Sequence, residues 1–282
     1  MIGIIGGSGI YSLDVKKHKD VQVSTPFGKP SGKVRTGTIA GKKVAFIARH
    51  GDGHIHSPSN LNYRANIFAL KKIGVTKILS VQAVGSLKEG IMPLDIVIPN
   101  QIIDRTRLRA STFFDKGIVT HVSFADPFCS ELSGLLSGTS RQLGYQTHPN
   151  GTYLCMEGPQ FSTRAESKMY QSWGASIIGM TAVPEAKLAR EAEMCYASVA
   201  TVTDYDVWKE RMEDVSVEMI IENAKKNEAA VIRVLEAVIP KINADADCTC
   251  HHALAGAIMT DPKMVLKKVK ADLRPLIGRY LK

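Results

Sequence analysis

Aromatic residues make up only 6% of this 282-residue chain, and two of them are tryptophans. A single-stranded nucleic-acid surface interleaves aromatics with basic side chains. The most basic stretch, KMVLKKVKADLRPLIGRYLK over 263–282, carries seven Lys/Arg against one Asp, which is +6 of a formal +9 (36 basic minus 27 acidic). It has no such interleaving and no recognition motif, so it reads as the solvated face of a C-terminal amphipathic helix, and no nucleic-acid partner is expected. Long apolar runs are missing too: none approaches the roughly 18 residues of a membrane span. The opening MIGIIGGSGIYS is apolar but broken by glycines and lacks a basic n-region. It reads as a buried strand and turn rather than a signal peptide, and the expectation is a soluble, cytoplasmic protein. There is no internal repeat and no low-complexity tract, and with 44% hydrophobic residues the chain can bury a full core.

Five cysteines stand at 129, 155, 195, 248 and 250. Cys248-Thr249-Cys250 followed by His251-His252 looks like half of a metal site, but zinc sites ordinarily add a second, distant pair. No second pair is visible in the sequence, and no metal is expected. Buried thiols are the default in a reducing compartment. Links Cys248–Cys250 and Cys129–Cys195 are the candidate disulfides for a source that grows hot.

Strand and helix patterns alternate. Gly3–Ile5 reads as a first strand running into Gly6-Gly7-Ser8-Gly9. Lys33–Ile39 and Lys43–Ala48 read as a strand pair. Ser59–Ile73 has helical spacing and ends at Gly74. Lys77–Val81, Asp95–Ile98, Thr152–Met156, Ser176–Met180 and Cys195–Thr203 read as strands. Pro127–Leu143 reads as a helix. Thr163-Arg-Ala-Glu166 is a capping box, Pro184 opens another helix, and Ser216 caps a long one reaching about Val238. Two shorter helices finish the chain. The expected architecture is a single α/β domain over 1–282, a central mixed sheet flanked by helices.

Polar clusters sit just past several apolar strands, where α/β sheets place ligands. Gly6-Gly7-Ser8-Gly9 is either a plain turn or an anion cradle, and it is neither a Walker A loop nor GxGxxG. Arg49-His50-Gly51-Asp52-Gly53-His54-Ile55-His56 offers an Arg-His grip for phosphate, with a metal reading left open by its histidines and aspartate. Val81-Gln82-Ala83-Val84-Gly85-Ser86 reads as a strand entering a turn with free N–H groups. Phe161 is either core or a flat surface for an aromatic ligand. Gly179-Met180-Thr181 and the pair Asp204 and Asp206 complete the set. Anion grips, a stacking ring and paired acids for ring nitrogens are the needs of a nucleoside phosphorylase.

The chain resembles the 5'-methylthioadenosine phosphorylases of the trimeric purine nucleoside phosphorylase class. The resemblance is carried by GIIGGSGIY, RHGDGHIHSPSNLNYRANI, VGSL with PLDIVI, IDRT, EGPQFSTRAES, GMTAVPEAKLAREAEMCYA and TDYDVWKE, from Gly3 to about Val238. It implies the nucleoside phosphorylase fold, with a sheet that is partly barrel-like. It also implies a phosphate site from Ser8, Arg49, His50, Ala83 and Thr181, with Gln82 standing where the family often has a small hydroxyl residue. His54 and Met180 fall to the ribose, and Phe161 and Ser162 to the base. Asp204 and Asp206 face the purine edge as the catalytic acids. Val217, Ile220 and Ile221 line a pocket for the 5' group, with His121 entering from a neighbouring subunit of a trimer or dimer of trimers. Inorganic phosphate is co-substrate, and neither metal nor organic cofactor is implied.

The chemistry of phosphorolysis agrees. Phosphate serves as nucleophile and as counter-charge to an oxocarbenium-like sugar, and a proton placed on purine N7 improves the leaving group. Asp204 can deliver that proton if burial and its neighbouring carboxylate raise its pKa. Two acids also suit a 6-amino purine, whose amino group donates, better than a 6-oxo purine. The alternatives are a 6-oxopurine or methylthioinosine phosphorylase of the same fold and, from another class, a basic nucleic-acid-binding module.

Overall fold

The computed structural model describes residues 1–7, 10, 13–209 and 217–281. In chain order the strands and helices are β1 (Ile2–Gly6), β2 (Lys16–Val21), β3 (Val34–Ile39), β4 (Lys42–Ala48), α1 (Tyr63–Lys72), β5 (Lys77–Ser86), β6 (Ile96–Val97) and β7 (Gln101–Arg105). They continue with α2 (Ser130–Gln142), β8 (Thr147–His148), β9 (Thr152–Met156), α3 (Arg164–Ser172), β10 (Ile177–Gly179), α4 (Ala182–Glu191), β11 (Cys195–Asp204), α5 (Val217–Val238), α6 (Lys267–Asp272) and α7 (Arg274–Ile277).

The strands join in one mixed, eleven-stranded sheet. Its main path runs β2-β3-β4-β1-β5-β10-β9-β7, and β11 branches from β5 towards β6 and β8. The branching follows from the length of β5. Its first half pairs with β1 (Ile2 with Lys77), its last two residues pair antiparallel with β10, and its other edge carries β11 in parallel from Lys77 to Gly85. β5 and β11 are buried along nearly their whole length, as strands covered on both faces must be. One face is covered by α1, α4 and α7, with Phe68, Phe113 and Leu276 in that core. The other is covered by α2 and α5, where Leu132, Leu136, Val234 and Leu235 meet the opposite side of β1 and β11.

Local sequence explains the element ends. The Thr163–Glu166 capping box forms with both reciprocal bonds. The helix expected from Ser59 starts later: Pro58–Asn60 make one 3-10 turn, and the Asn62 side chain caps α1 by accepting from the Ala65 amide. Val183 is non-helical inside α4, so Pro184 follows a kink instead of opening the helix cleanly. β5 extends through Ser86, so Gly85 lies within a strand and not in the expected turn. The basic C-terminal stretch forms two short helices, with Leu273, Leu276, Ile277 and Leu281 buried on the α1 side of the core.

Candidate active site

The C-terminal ends of β1, β4, β5 and β11 open into a cleft of about 550 Å³. Gly7, Arg49, His50, His54, Ala83, Phe161, Met180, Thr181, Asp204 and Asp206 all line it, so residues from six distant parts of the chain are brought together, while Ser162 is buried and does not line it. A larger cleft of about 1160 Å³ lies elsewhere and holds His121 but none of these residues. Within one chain, His121 therefore does not meet the others. Ser8 lies outside the described residues, as do the side chains of Val217 and Ile220. Ile221 is half exposed on α5.

At one end of the cleft Arg49 is fully buried. Its Nε and Nη2 donate to Glu185, Nη2 also donates to Ser80 Oγ at 2.8 Å, and Nη1 donates to the Val81 carbonyl at 2.9 Å. The expected free phosphate grip is thus already half of a buried ion pair. Burial pulls the guanidinium pKa down, and Glu185 more than restores it. Only the second Nη1 proton remains. Gly7 packs against that nitrogen so closely that a Cβ there would sit 2.6 Å from Nη1.

His50 donates from Nδ1 to the His56 carbonyl at 2.8 Å and stacks on His54 with centroids 4.1 Å apart. Burial, followed by the Arg49 charge, lowers its pKa to about 4. Its ring is neutral near pH 7, with Nε2 as the unprotonated nitrogen. The Gln82 side chain is buried and is not at the cleft surface. Gln82 Oε1 accepts from Thr181 Oγ1 at 2.5 Å and its Nε2 donates to Ser80 Oγ at 2.9 Å, so it orients Thr181 in place of the direct contact expected of it.

At the other end β11 stops at Asp204. The two acids do not alternate along an extended backbone: Asp206 has φ 51°, and the chain turns back so that its amide donates to Asp204 Oδ1 at 2.7 Å. Thr203 Oγ1 lies 2.6 Å from Asp204 Oδ2 and 3.2 Å from the Val84 carbonyl. One hydroxyl proton cannot serve both acceptors. A protonated Asp204 resolves this by donating to Thr203, whose own proton then goes to Val84. Burial raises the Asp204 pKa, against the bonds from Thr203 and Asp206. The expected push from the second carboxylate falls on Asp206, whose pKa rises through burial first and through the Asp204 charge as well. Asp206 Oδ2 is buried and has no hydrogen-bond partner among the described residues. The Ser162 and Ser167 hydroxyls are near enough to lower its pKa somewhat but do not bond it with good geometry. Gly85 makes room for this arrangement, since a Cβ there would lie 2.8 Å from Asp204 Oδ1.

Phe161 is 42% exposed although it lines the cleft, which removes the core reading and leaves a bare ring face. Two residues not singled out in the sequence hold the walls. Arg109 donates to the carbonyls of Met180, Val183 and Glu157 and to Glu157 Oε1. Glu157 also accepts from Ser59 Oγ and from the amides of Arg107 and Leu108. Burial pushes the Glu157 pKa up, but those donors outweigh it and bring it to about 2. Glu157 lies inside the EGPQF motif. Arg109 carries no signal beyond a charge in RTRLRA.

The fold and this cleft define a ligand site at strand ends, with an anion end and an acid end. Residues 1–240 match the family model of the phosphorylase superfamily, and the chain belongs to that family. It is 49% identical to the S-methyl-5'-thioadenosine phosphorylase of Geobacter sulfurreducens, over 100% of this chain and 99% of that one. Among solved structures it is similar to a methylthioadenosine phosphorylase from an Antarctic soil metagenomic library, with TM-score 0.92, 45% identity and 98% of each chain covered. It is also similar to a variant adenosine/methylthioadenosine phosphorylase from Schistosoma mansoni in complex with methylthioadenosine, with TM-score 0.82, 34% identity and 98% and 97% of the two chains covered. The resemblance carried by the motifs therefore extends over the whole length.

Proposed function

We propose that this chain cleaves 5'-methylthioadenosine with inorganic phosphate, giving adenine and 5-methylthioribose 1-phosphate. The observation that carries the reading is the acid end of the cleft: a buried Asp204 with a raised pKa beside an Asp206 oxygen that lacks a donor among the described residues. Full-length relatives that are methylthioadenosine phosphorylases support it.

In this reading phosphate occupies the end formed by Gly7, Arg49, His50, Ala83 and Thr181, with Ser8 assigned to it as well, and Gln82 positions the Thr181 hydroxyl. Ribose lies near His54 and Met180, and the purine stacks on Phe161. As the glycosidic bond breaks, protonated Asp204 turns its proton from Thr203 to N7, the Thr203 hydroxyl then donates to the carboxylate left behind, and Asp206 Oδ2 accepts from the 6-amino group. A 6-oxo purine would set an acceptor against that carboxylate, and this favours adenine over hypoxanthine. Phosphate then joins the sugar at C1', and the electron pair of the broken bond leaves with the protonated base. Every role in this reaction is filled by the protein's own groups and by phosphate as co-substrate, and the reading calls for no organic cofactor.

In this reading Val217, Ile220 and Ile221 are the residues assigned to the 5' group, where burying a methylthio group contributes roughly 0.8 kcal/mol per methylene-sized group. His121 completes that pocket from a second copy in a homotrimer or dimer of trimers, and residues 1–282 act as one domain of a cytoplasmic enzyme. Among the described residues no helix is long and apolar enough to cross a membrane.

The test is incubation with phosphate and, separately, methylthioadenosine, adenosine, inosine, guanosine and methylthioinosine. Phosphate-dependent release of adenine, fastest from methylthioadenosine, is expected. Release of hypoxanthine alone would overturn the base assignment, and no release from any nucleoside would overturn the whole reading.

A further inference from the structure

The cysteines that look unpaired along the sequence converge in space. Cys129 is the residue before α2, Cys195 is the first residue of β11, and Cys248 and Cys250 stand at the 3-10 turn Thr249–His252. Their four sulfur atoms all lie within 4.8 Å of one another. The distant second pair that a zinc site needs is supplied by the fold, through Cys129 and Cys195. Neither candidate disulfide is formed, and all five cysteines are free. Cys129 Sγ lies 3.8 Å from Cys248 Sγ. A tetrahedron of sulfurs around zinc, with Zn–S of about 2.3 Å, has edges of about 3.8 Å. A disulfide would bring two of the sulfurs to about 2.05 Å.

We propose that Cys129, Cys195, Cys248 and Cys250 together hold one zinc ion in a closed, structural four-thiolate site. Four soft sulfur donors with no carboxylate among them select zinc over magnesium or calcium. Four protein ligands leave no open position for substrate, which marks the site as structural.

Three of the cysteines are buried and Cys248 is half-buried, on the wall of the 1160 Å³ cleft that gives an ion its way in. Binding releases four thiol protons to solvent and leaves a net charge of two negatives on the site. The surroundings suit that charge. Cys129 is the N-cap residue of α2, so the site lies at the positive end of that helix, although the side chain makes no capping hydrogen bond. His251 Nε2 lies 3.5 Å from Cys195 Sγ and 3.4 Å from the Thr76 carbonyl, in place to donate to the thiolate. Cys195 and Asp204 are the two ends of one ten-residue strand, roughly 30 Å apart at about 3.3 Å per residue. The ion therefore fastens the 243–252 segment to β11 and α2, far from the acid end of the cleft, and its removal is felt in stability first.

The test uses the full chain, purified under reductant and without chelator. Elemental analysis is expected to find one zinc per chain. Stripped and reduced protein titrated with Co2+ alone should develop the visible absorption of tetrahedral thiolate-bound cobalt, saturating at one equivalent and abolished by added Zn2+. Cys248→Ser should weaken cobalt binding by more than about a hundredfold and His251→Ala by about ten- to a hundredfold. The zinc-loaded chain should melt above the stripped one. Absence of saturable one-equivalent uptake by the reduced wild-type chain would overturn the proposal. So would a metal-free protein, purified without reductant, in which denaturation exposes one thiol where five are expected. The wild-type titration decides the matter even if Cys248→Ser does not fold.

Discussion

Replacing Asp204 with asparagine removes a proton and changes almost nothing else. The Asn carbonyl can still accept from the Asp206 amide, as Oδ1 does at 2.7 Å. Its amide group can donate to Thr203 Oγ1, leaving the Thr203 proton for Val84. All contacts of a protonated Asp204 survive, so the variant should fold and melt within about 1 kcal/mol of wild type. A positioned general acid is worth about 10²–10⁴ in rate. At about 1.36 kcal/mol per tenfold, that is roughly 2.7–5.4 kcal/mol of barrier. The expected result is a kcat for methylthioadenosine lowered by about 10²–10⁴ with KM changed far less, since stacking on Phe161 and phosphate binding are untouched. The wild-type rate should fall as pH rises through the elevated Asp204 pKa, because the protonated form is the active one. The variant should lose that limb. A substrate whose base leaves without protonation should be cleaved about equally by both proteins. Steady-state kinetics over pH 5–9, with both substrates, measure all of this. Wild-type turnover on methylthioadenosine by Asp204→Asn would refute the assignment of the proton donor.

Three other outcomes are expected. Gly85→Ala drives a methyl group to 2.8 Å from Asp204 Oδ1 and 3.1 Å from Ile178, so it should cost about 1–3 kcal/mol in denaturant unfolding and lower kcat more than tenfold. Arg109→Ala leaves Glu157 and three carbonyls without their shared donor on a side chain that is 1% exposed, and should destabilise by about 3–5 kcal/mol. Because Arg109 holds the Met180 carbonyl, the same variant should also raise KM for the nucleoside. Glu191 is buried and its pKa is pushed up to about 7 by that burial, despite bonds from Thr112 and the Phe113 amide. Its folded pKa lies above its unfolded value, so its contribution is intact below about pH 4.5 and is lost as pH rises through about 7, by up to about 3 kcal/mol. Glu191→Gln should flatten that part of the stability-versus-pH curve measured by urea unfolding, and an unchanged slope would exclude the group.

Much of this was legible because the cleft lies at the ends of apolar strands. The strand ends at Ala48 and Thr203 announce Arg49 and Asp204, and the capping box at Thr163 forms as its spacing requires. The failures share a cause, which is that partners in space are not neighbours in sequence. β2 is five exposed residues out of six in KKHKDV, so it has no apolar alternation to read, and only its pairing with β3 makes it a strand. Arg49 looks like a free cation until Glu185, 136 residues away, turns out to hold it. Gln82 looks like a ligand contact until Thr181 and Ser80 claim its amide. The cysteines look like half a site until β11 and α2 bring the other half. In each case a polar residue is visible in the sequence, and only the fold shows whether its bonds are already taken.

That distinction also sets the electrostatics of the cleft. At the anion end Arg49 and Glu185 cancel, and His50 is neutral because burial and Arg49 hold its pKa near 4. At the acid end burial favours a neutral Asp204. With Arg49 already paired, His50 neutral and burial working against charge on both Asp204 and Asp206, desolvating the cleft costs less than burying free ions would. Phosphate changes the balance. A dianion beside His50 favours the imidazolium, which opposes the lowering by Arg49 and gives Nε2 a proton to donate. In the proposed reading the charge that stabilises the oxocarbenium-like sugar is thus brought in with the co-substrate, while the proton the purine needs comes from Asp204. Charge separation across the nucleoside arises when both are in place, and this ties bond cleavage to the presence of phosphate and disfavours hydrolysis in its absence.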